Sequence, residues 1–164
     1  MHDERRVDEA VERTLRAAGT VSELMRTAAR LVTEAVDGSA CAISRMLGDV
    51  LVEVAEFAGS RTTLYLGQGY LVSDYPLTRE VIERREPRSV YVPDPDADEH
   101  EVALLDKLGF TSLLMLPLCV RDDVWGLAEV YREGIHRFVD TDAARATWLF
   151  QIVGERLAEL EERR

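Results

Sequence analysis

The sequence predicts a mixed α/β (α+β) fold in which a central antiparallel sheet of about six strands lies between two layers of helices. Three observations lead to this prediction. Apolar residues recur at helical spacing at both ends of the chain, two pairs of strand-forming runs are each joined by a short turn, and short helical segments separate those pairs. Because this order buries helices on both faces of a sheet, we expect an α/β/α sandwich with the terminal helices on one face and the middle helices on the other.

Two helices open the chain. Apolar spacing predicts the first over residues 3–18, and Gly19 ends it. Thr20 and Glu23 form a capping box at the start of the second, because the threonine hydroxyl can accept from the Glu23 amide while Glu23 reaches back. Gly38 ends this second helix.

A first hairpin follows. Strand-forming runs at 39–47 and 50–58 flank Gly48-Asp49, a loop suited to a type II′ turn with glycine first. A two-residue turn pairs Arg45 with Val52 and Ser44 with Glu53, which places Arg45 on an apolar face. The glycine-rich residues 59–74 are predicted to be a mobile segment with one short strand at 63–66.

The second half alternates short helices with strands. Pro76 at a first-turn position predicts a helix over 75–85, and further elements are predicted by their apolar runs and by the residues that end them. These are a strand at 89–92, a helix at 99–108, strands at 112–121 and 124–131, and a helix from 140 to the end. A turn at Asp122-Asp123 would pair Leu116 with Glu129 and Leu114 with Tyr131, so Glu129 is expected among leucines on a central strand.

Composition narrows the function classes. The 164 residues suffice for one domain, and their net charge of −11 argues against nucleic acid and anionic membranes as partners, because both are polyanions. The only cysteines, Cys41 and Cys119, lie in strand patterns, and no run approaches the roughly 18 apolar residues of a membrane span. With no signal peptide in view, we expect a cytoplasmic protein.

A series of short motifs, in their order and spacing, resembles GAF domains, the small sensory modules of signalling proteins. The residues that carry the resemblance are Asp74-Tyr75-Pro76, Asp94-Pro95-Asp96, Leu108-Gly109-Phe110, Pro117-Leu118, Gly126 and the Arg-Phe-Val-Asp-Thr-Asp run at 137–142. The resemblance implies a single GAF domain over 1–164, with an N-terminal dimerisation or linker helix at 1–19, a core at 20–139 and a C-terminal signalling helix at 140–164. It also implies a bacterial parent protein with a cyclic-dinucleotide or histidine-kinase output module. Because the chain ends within the last predicted helix, at residues 161–164, we expect it to be a truncated piece of that protein.

The resemblance further implies a ligand pocket between the sheet and the middle helices. The candidate ligand-binding residues are Tyr75, Tyr91, His100, Leu116, Glu129, Tyr131 and Arg45. Glu129 has two interpretations: a carboxylate that orients the ligand, or one half of a structural ion pair with Arg45. No cofactor is identified by the sequence, and the Asp94, Asp96 and Asp98 series lacks the glycine and glutamate of a calcium loop.

We therefore expect a small-molecule sensory domain that relays its signal through the terminal helices to an output domain in cis, and no enzyme. The alternatives are a ligand-free dimerisation and relay module, a GAF-fold enzyme, which would need cysteines in the pocket loops, and a haem sensor using His100. A homodimer is also expected, because both terminal helices carry narrow apolar seams. The seam residues are Val7, Val11, Thr14 and Ala18 at the start and Leu149, Val153, Leu157 and Leu160 at the end.

Overall fold

The computed structural model describes residues 1–59 and 69–163, and within these ranges the chain forms five helices and six strands. The helices are α1 (His2–Ala17), α2 (Val21–Ala35), α3 (Pro76–Arg84), α4 (Glu99–Leu108) and α5 (Asp140–Glu162). The strands are β1 (Ala40–Leu47), β2 (Val50–Phe57), β3 (Tyr70–Leu71), β4 (Arg88–Tyr91), β5 (Ser112–Val120) and β6 (Asp123–Arg132). The short strand predicted at 63–66 lies outside the described residues.

All six strands form one sheet in the order β3-β2-β1-β6-β5-β4, and every neighbouring pair is antiparallel. Pairing of β1 with β6 joins the two hairpins at the centre of the sheet. This approach requires a glycine on β6, because a Cβ at Gly126 would lie 2.0 Å from the Ser44 carbonyl oxygen.

Two apolar cores, one on each face of the sheet, confirm the predicted sandwich. The first core contains Leu24 of α2 and Leu149 of α5, packed against residues such as Ile43 of β1. The second contains Val81 of α3 and Leu105 of α4. The terminal helices therefore cover one face and the middle helices the other, as predicted.

The local signals in the sequence act where they were expected. The Thr20 hydroxyl accepts from the Glu23 amide at 3.1 Å, although the Glu23 carboxylate accepts from the amide of Gly19, at 3.0 Å, rather than from that of Thr20. Gly48 has φ +62° in the first hairpin turn, and Gly109 has φ +82° after the last residue of α4. Among the helices that the structure describes, none combines the length and the apolar composition needed to cross a membrane.

Register was predicted correctly in one hairpin and wrongly in the other. Arg45 pairs with Val52 as expected, with a bulge after Ile43. In the second hairpin the turn lies at Arg121-Asp122, and Glu129 pairs with Met115 instead of Leu116. Arg121 adopts φ +54°, and a second bulge follows Leu118. Because strand side chains alternate between faces, this shift of one residue moves Leu116 to the face opposite Glu129.

The apolar seam predicted on the last helix is not a free surface. Leu149, Val153 and Leu157 are fully buried in the first core of the same chain, so this seam covers the chain's own sheet. On α1, by contrast, Val7 is 49% exposed. The two terminal helices are joined by the buried Arg156 of α5, whose guanidinium donates two hydrogen bonds, at 3.0 and 2.8 Å, to the Ala18 carbonyl at the end of α1.

Candidate functional site

A cavity of about 280 Å³ lies between the second face of the sheet and helices α3 and α4. Two of its lining residues, the half-buried Leu104 and the exposed Lys107, lie on the last turns of α4. The other residues that line it are Ala42, Ser44, Gly69, Tyr70, Tyr75, Thr78, Glu101, Glu129 and Tyr131. The cavity therefore combines a partly apolar wall with several hydroxyl and carboxyl groups.

Glu129 forms the floor of the cavity from the central strand β6. Its carboxylate accepts two hydrogen bonds, from the Tyr70 hydroxyl to Oε1 at 2.6 Å and from the Tyr131 hydroxyl to Oε2 at 3.1 Å. Glu129 is only 5% exposed, and burial raises the pKa of its carboxyl group against the opposing effect of the two tyrosine hydrogen bonds. Burial and the neighbouring Glu129 likewise raise the pKa of both tyrosines, which keeps their protons available for donation.

Glu101 forms the opposite side of the cavity from the first turn of α4. The turn is fixed by Asp98, whose carboxylate accepts from the amides of His100 and Glu101 at 3.0 and 3.1 Å. Glu101 is 1% exposed, and its Oε1 accepts from the Thr78 hydroxyl at 3.3 Å. Its Oε2 is also buried, yet it has no hydrogen-bond partner among the described residues. Burial, followed by the charge of Glu129, raises the pKa of Glu101 to about 8.

Aromatic rings form the remaining walls. The rings of Tyr70 and Tyr75 meet edge to face with their centroids 5.3 Å apart, and Tyr131 stacks on Phe110 at 5.0 Å. Tyr70 lies on β3, which pairs with β2 at the edge of the sheet. Tyr75 directly precedes Pro76, the first residue of α3. The edge strand and the start of α3 thus place two rings against one side of the cavity.

A second pair of carboxyl groups lies on β2, on the same face of the sheet. Glu53 pairs with Ser44, and Glu56 pairs with Ala42, which in turn pairs with Glu129. Burial raises the pKa of Glu53 to about 8, and Glu56 adds to this through a hydrogen bond and its charge. Within the part of the chain that the structure describes, no group of three or more His, Cys, Asp or Glu side chains is arranged to hold a metal ion. This face of the sheet is therefore acidic.

Comparison with known families assigns the fold. The family model described as GAF domain matches residues 20–158, most of the chain. The chain belongs to the GAF family. A search of curated proteins found no match to the sequence.

Solved structures with the same fold as this GAF domain include bacterial phytochromes. The chromophore-binding domain of the bacteriophytochrome RpBphP3 from R. palustris is 13% identical with a TM-score of 0.85, and the match covers 99% of this chain and 64% of that one. A longer RpBphP3 structure is 15% identical with a TM-score of 0.86, covering 99% and 38%. The photosensory core module of the Stigmatella aurantiaca phytochrome is 18% identical with a TM-score of 0.81, covering 97% and 37%. The chain thus spans less than two thirds of each of these proteins.

The structure brings together three of the seven residues predicted for the GAF pocket, namely Tyr75, Glu129 and Tyr131. The other four lie elsewhere, and both Leu116 and Arg45 lie on the opposite face of the sheet. Leu116 belongs to the core beneath α5, and Arg45 lies over the Trp125 ring at 5.3 Å. An Arg45–Glu129 ion pair is therefore wrong, because alternate residues of paired strands point to opposite faces.

His100 and Tyr91 also lie outside the cavity, and Tyr91, which pairs with Ser112, points to the face opposite the cavity. The His100 side chain is 59% exposed beside Asp98, and the Tyr91 ring is covered by the Arg137 guanidinium at 4.6 Å. Sequence reasoning in turn missed the other eight described lining residues, including Tyr70, Thr78 and Glu101, whose side chains form the hydrogen bonds of the site. Glu101 had a usable signal, since it lies four residues before the buried Leu105 and thus on the buried stripe of α4.

Proposed function

We propose that this GAF domain is a sensory module that binds a small organic molecule in the cavity and passes the resulting change to its terminal helices. The observation that supports it is the convergence of buried polar groups on one cavity, from β3, β6, α3 and α4. A ligand-free relay module has no need of a buried carboxyl oxygen without a partner, since such a group destabilises the folded state. Glu101 Oε2 is such a group among the described residues.

The cavity supports a small ligand held without a covalent bond. Its volume of about 280 Å³ lies just below the roughly 300–1,000 Å³ that ligand pockets occupy, so it suits a ligand smaller than a typical drug. The RpBphP3 and Stigmatella domains bind chromophores according to their names. In this chain neither of the two cysteines lines the cavity: Cys41 is buried in the core beneath α2 and α5, and Cys119 faces α5.

The same geometry argues against the haem and enzyme alternatives. All three histidines of the chain lie in described residues, and none of them lines the cavity, so a haem would find no histidine ligand there. Without a cysteine or histidine at the cavity, the chain also offers no activated thiol nucleophile to a bound molecule. We therefore propose a binding function and no catalytic one.

The relay is proposed to run through β6 to α5. Glu129 and Tyr131 face the cavity, while the alternating Ala128 and Val130 pack in the core that contains α5. A ligand that prefers one position of β6 over another would shift the population of α5 positions. Arg156 couples α5 to α1, so both ends of the domain would respond together, and an output domain in cis would read that response.

The proposed function is tested by asking whether the protein retains a small molecule on purification or captures one afterwards. Native mass spectrometry is applied to the freshly purified protein, before and after incubation with a metabolite extract of its host. Leu104→Trp should block the mouth of the cavity, whereas Ala103→Trp places the same ring on the exposed side of the same helix turn as the matched control. We expect one added mass on wild type and on Ala103→Trp, and loss of it from Leu104→Trp.

Hydrogen exchange then tests the relay. The bound molecule should slow amide exchange in α3 and α4, and it should also change exchange in α5. Absence of any added mass from both preparations would support the ligand-free relay module instead. An added mass that Leu104→Trp retains would place the binding site outside this cavity.

A further inference from the structure

We propose that the ligand of this cavity is an organic cation, a small molecule whose protonated nitrogen donates hydrogen bonds to Glu101 and Glu129. This inference rests on the proposed function, since it names the chemical class of the molecule that the cavity binds. Three properties of the lining carry it: its hydrogen-bonding capacity, its charge and its aromatic walls.

Four of the described lining residues present hydrogen-bond acceptors to the cavity: Glu101, Glu129, Tyr70 and Tyr131. When Glu101 is ionised, its Oε2 is a buried acceptor with no partner among the described residues. The hydroxyls of Tyr70 and Tyr131 each donate their only proton to Glu129, so both phenolic oxygens present lone pairs to the cavity. The Thr78 hydroxyl likewise donates to Glu101. A ligand with several N–H donors satisfies these groups, whereas a ligand rich in acceptors leaves Glu101 Oε2 unpartnered.

The charge of the lining also favours a cationic ligand. Glu101 and Glu129 face one cavity from opposite sides, and Glu53 and Glu56 lie on the neighbouring strand of the same face. Lys107 is the one basic residue among the described lining residues, and it is exposed on the last turn of α4, at the cavity mouth. A bound cation would pair with the buried carboxylates, whereas a bound anion would face them without compensation.

The aromatic walls suit a cation that carries a ring. Tyr70 and Tyr75 are set edge to face beside the carboxyl groups. The negative faces of tyrosine rings attract cations, and their edges pack against other rings. An aryl or alkyl ammonium therefore matches both the ring contacts and the carboxylates.

Three phenols of nearly identical shape and different charge test the proposal: tyramine, which is cationic, tyrosol, which is neutral, and 4-hydroxyphenylacetate, which is anionic. Titration calorimetry on the wild-type protein at pH 8.5, where Glu101 is ionised, should give tyramine an affinity at least about tenfold higher than tyrosol, as expected for a charge-assisted hydrogen bond to a buried carboxylate. The anion should not bind detectably.

Two variants test whether Glu101 causes the preference for tyramine over tyrosol. Glu101→Gln keeps the shape and removes the charge, so tyramine should lose its advantage over tyrosol. Glu99→Gln, an exposed position in the same helix turn, should leave that advantage unchanged. Circular dichroism checks that both variants are folded. Tyramine affinity should also rise from pH 6 to 8.5, because Glu101 has a pKa of about 8 and must ionise beside Glu129, Asp98, Tyr70 and Tyr75 to pair with the cation.

Failure of this inference is distinguishable from failure of the proposed function. Equal or tighter binding of tyrosol or of 4-hydroxyphenylacetate, or no binding of tyramine at millimolar concentration, overturns the cation assignment. A neutral or anionic molecule captured from the metabolite extract also overturns it, yet that result upholds a ligand-binding domain. The cation assignment and the proposed function both fail only if no molecule is captured and none of the three phenols binds.

Discussion

Replacing Glu101 by glutamine should make the protein more stable at neutral and alkaline pH, and the gain should grow with pH. In the folded state the pKa of this carboxyl group is raised to about 8 from an ordinary value of 4.5, with burial as the largest cause. Between these two values the folded protein keeps the proton while the unfolded chain releases it. The free energy of unfolding therefore falls as pH rises through this window, and it becomes independent of Glu101 above the folded pKa.

The expected magnitude follows from the pKa difference. One pH unit corresponds to about 1.4 kcal/mol, so full ionisation costs the wild-type protein on the order of 5 kcal/mol by pH 8. Glutamine keeps the acceptor for the Thr78 hydroxyl and carries no titratable proton. The difference in stability between Glu101→Gln and wild type should thus be near zero at pH 4.5, rise over the following units and level off above pH 8.

Urea denaturation followed by circular dichroism at one-unit steps from pH 5 to 9 measures this difference. Glu99→Gln, on the exposed side of the same turn, should give a curve parallel to that of wild type. The curves of wild type and Glu101→Gln both keep a slope from Glu129 and Glu53, whose pKa values are also raised. Only the difference in stability between the two curves therefore reports on Glu101. Parallel curves for wild type and Glu101→Gln would show that Glu101 is ionised at neutral pH in the folded protein.

Three further substitutions test other contacts. Tyr70→Phe removes the 2.6 Å hydrogen bond to Glu129 and should lower the free energy of unfolding by about 1–3 kcal/mol. Arg156→Ala removes both hydrogen bonds to the Ala18 carbonyl; it should cost about 1.5–3 kcal/mol and accelerate amide exchange in α1, measured by mass spectrometry. Gly154→Ala places a Cβ 2.2 Å from the Cys119 carbonyl oxygen, so it should displace α5 from β5 and cost about 1–3 kcal/mol in urea denaturation.

Each of these substitutions has a control within the same chain. Tyr75→Phe removes a hydroxyl that shares the cavity without a hydrogen bond to Glu129, and it should change stability less than Tyr70→Phe does. Arg30→Ala breaks only an exposed pair with Glu34 at 3.4 Å, worth about 0–1 kcal/mol. Gln151→Ala changes an exposed position of α5 one turn from Gly154. Equal costs for a substitution and its control would refute the contact in question.

The order and type of the elements followed from the sequence because their signals are local, except that Tyr70–Leu71 of β3 lies in the segment predicted to be mobile. Thr20 and Glu23 begin α2 by satisfying amides within one turn, and Gly109 ends α4 by adopting a positive φ. The apolar stripes at the two ends of the chain likewise required only helical spacing to be recognised. The GAF resemblance and the layer arrangement followed from this order of elements.

Tertiary structure decided which residues meet at the site. Tyr70 and Glu129 are 59 residues apart and join only because β3 pairs with β2 at the sheet edge while β6 occupies the centre. Thr78 and Glu101 meet only through the packing of α3 beside α4. No local pattern encodes such distances, so sequence reasoning missed Tyr70, Thr78 and Glu101.

The misplacement of Leu116 has a sharper physical cause. Turns at Arg121-Asp122 and at Asp122-Asp123 are both compatible with the local sequence. Side chains alternate along a strand with a period of two, so moving the turn by one residue exchanges the two faces of one strand relative to its partner. Packing selects the turn at Arg121-Asp122. The ladder then has a bulge after Leu118, and Gly126 lies against the Ser44 carbonyl. The sequence by itself therefore determined that Glu129 lies on a central strand, and tertiary packing alone decided which side chains surround it.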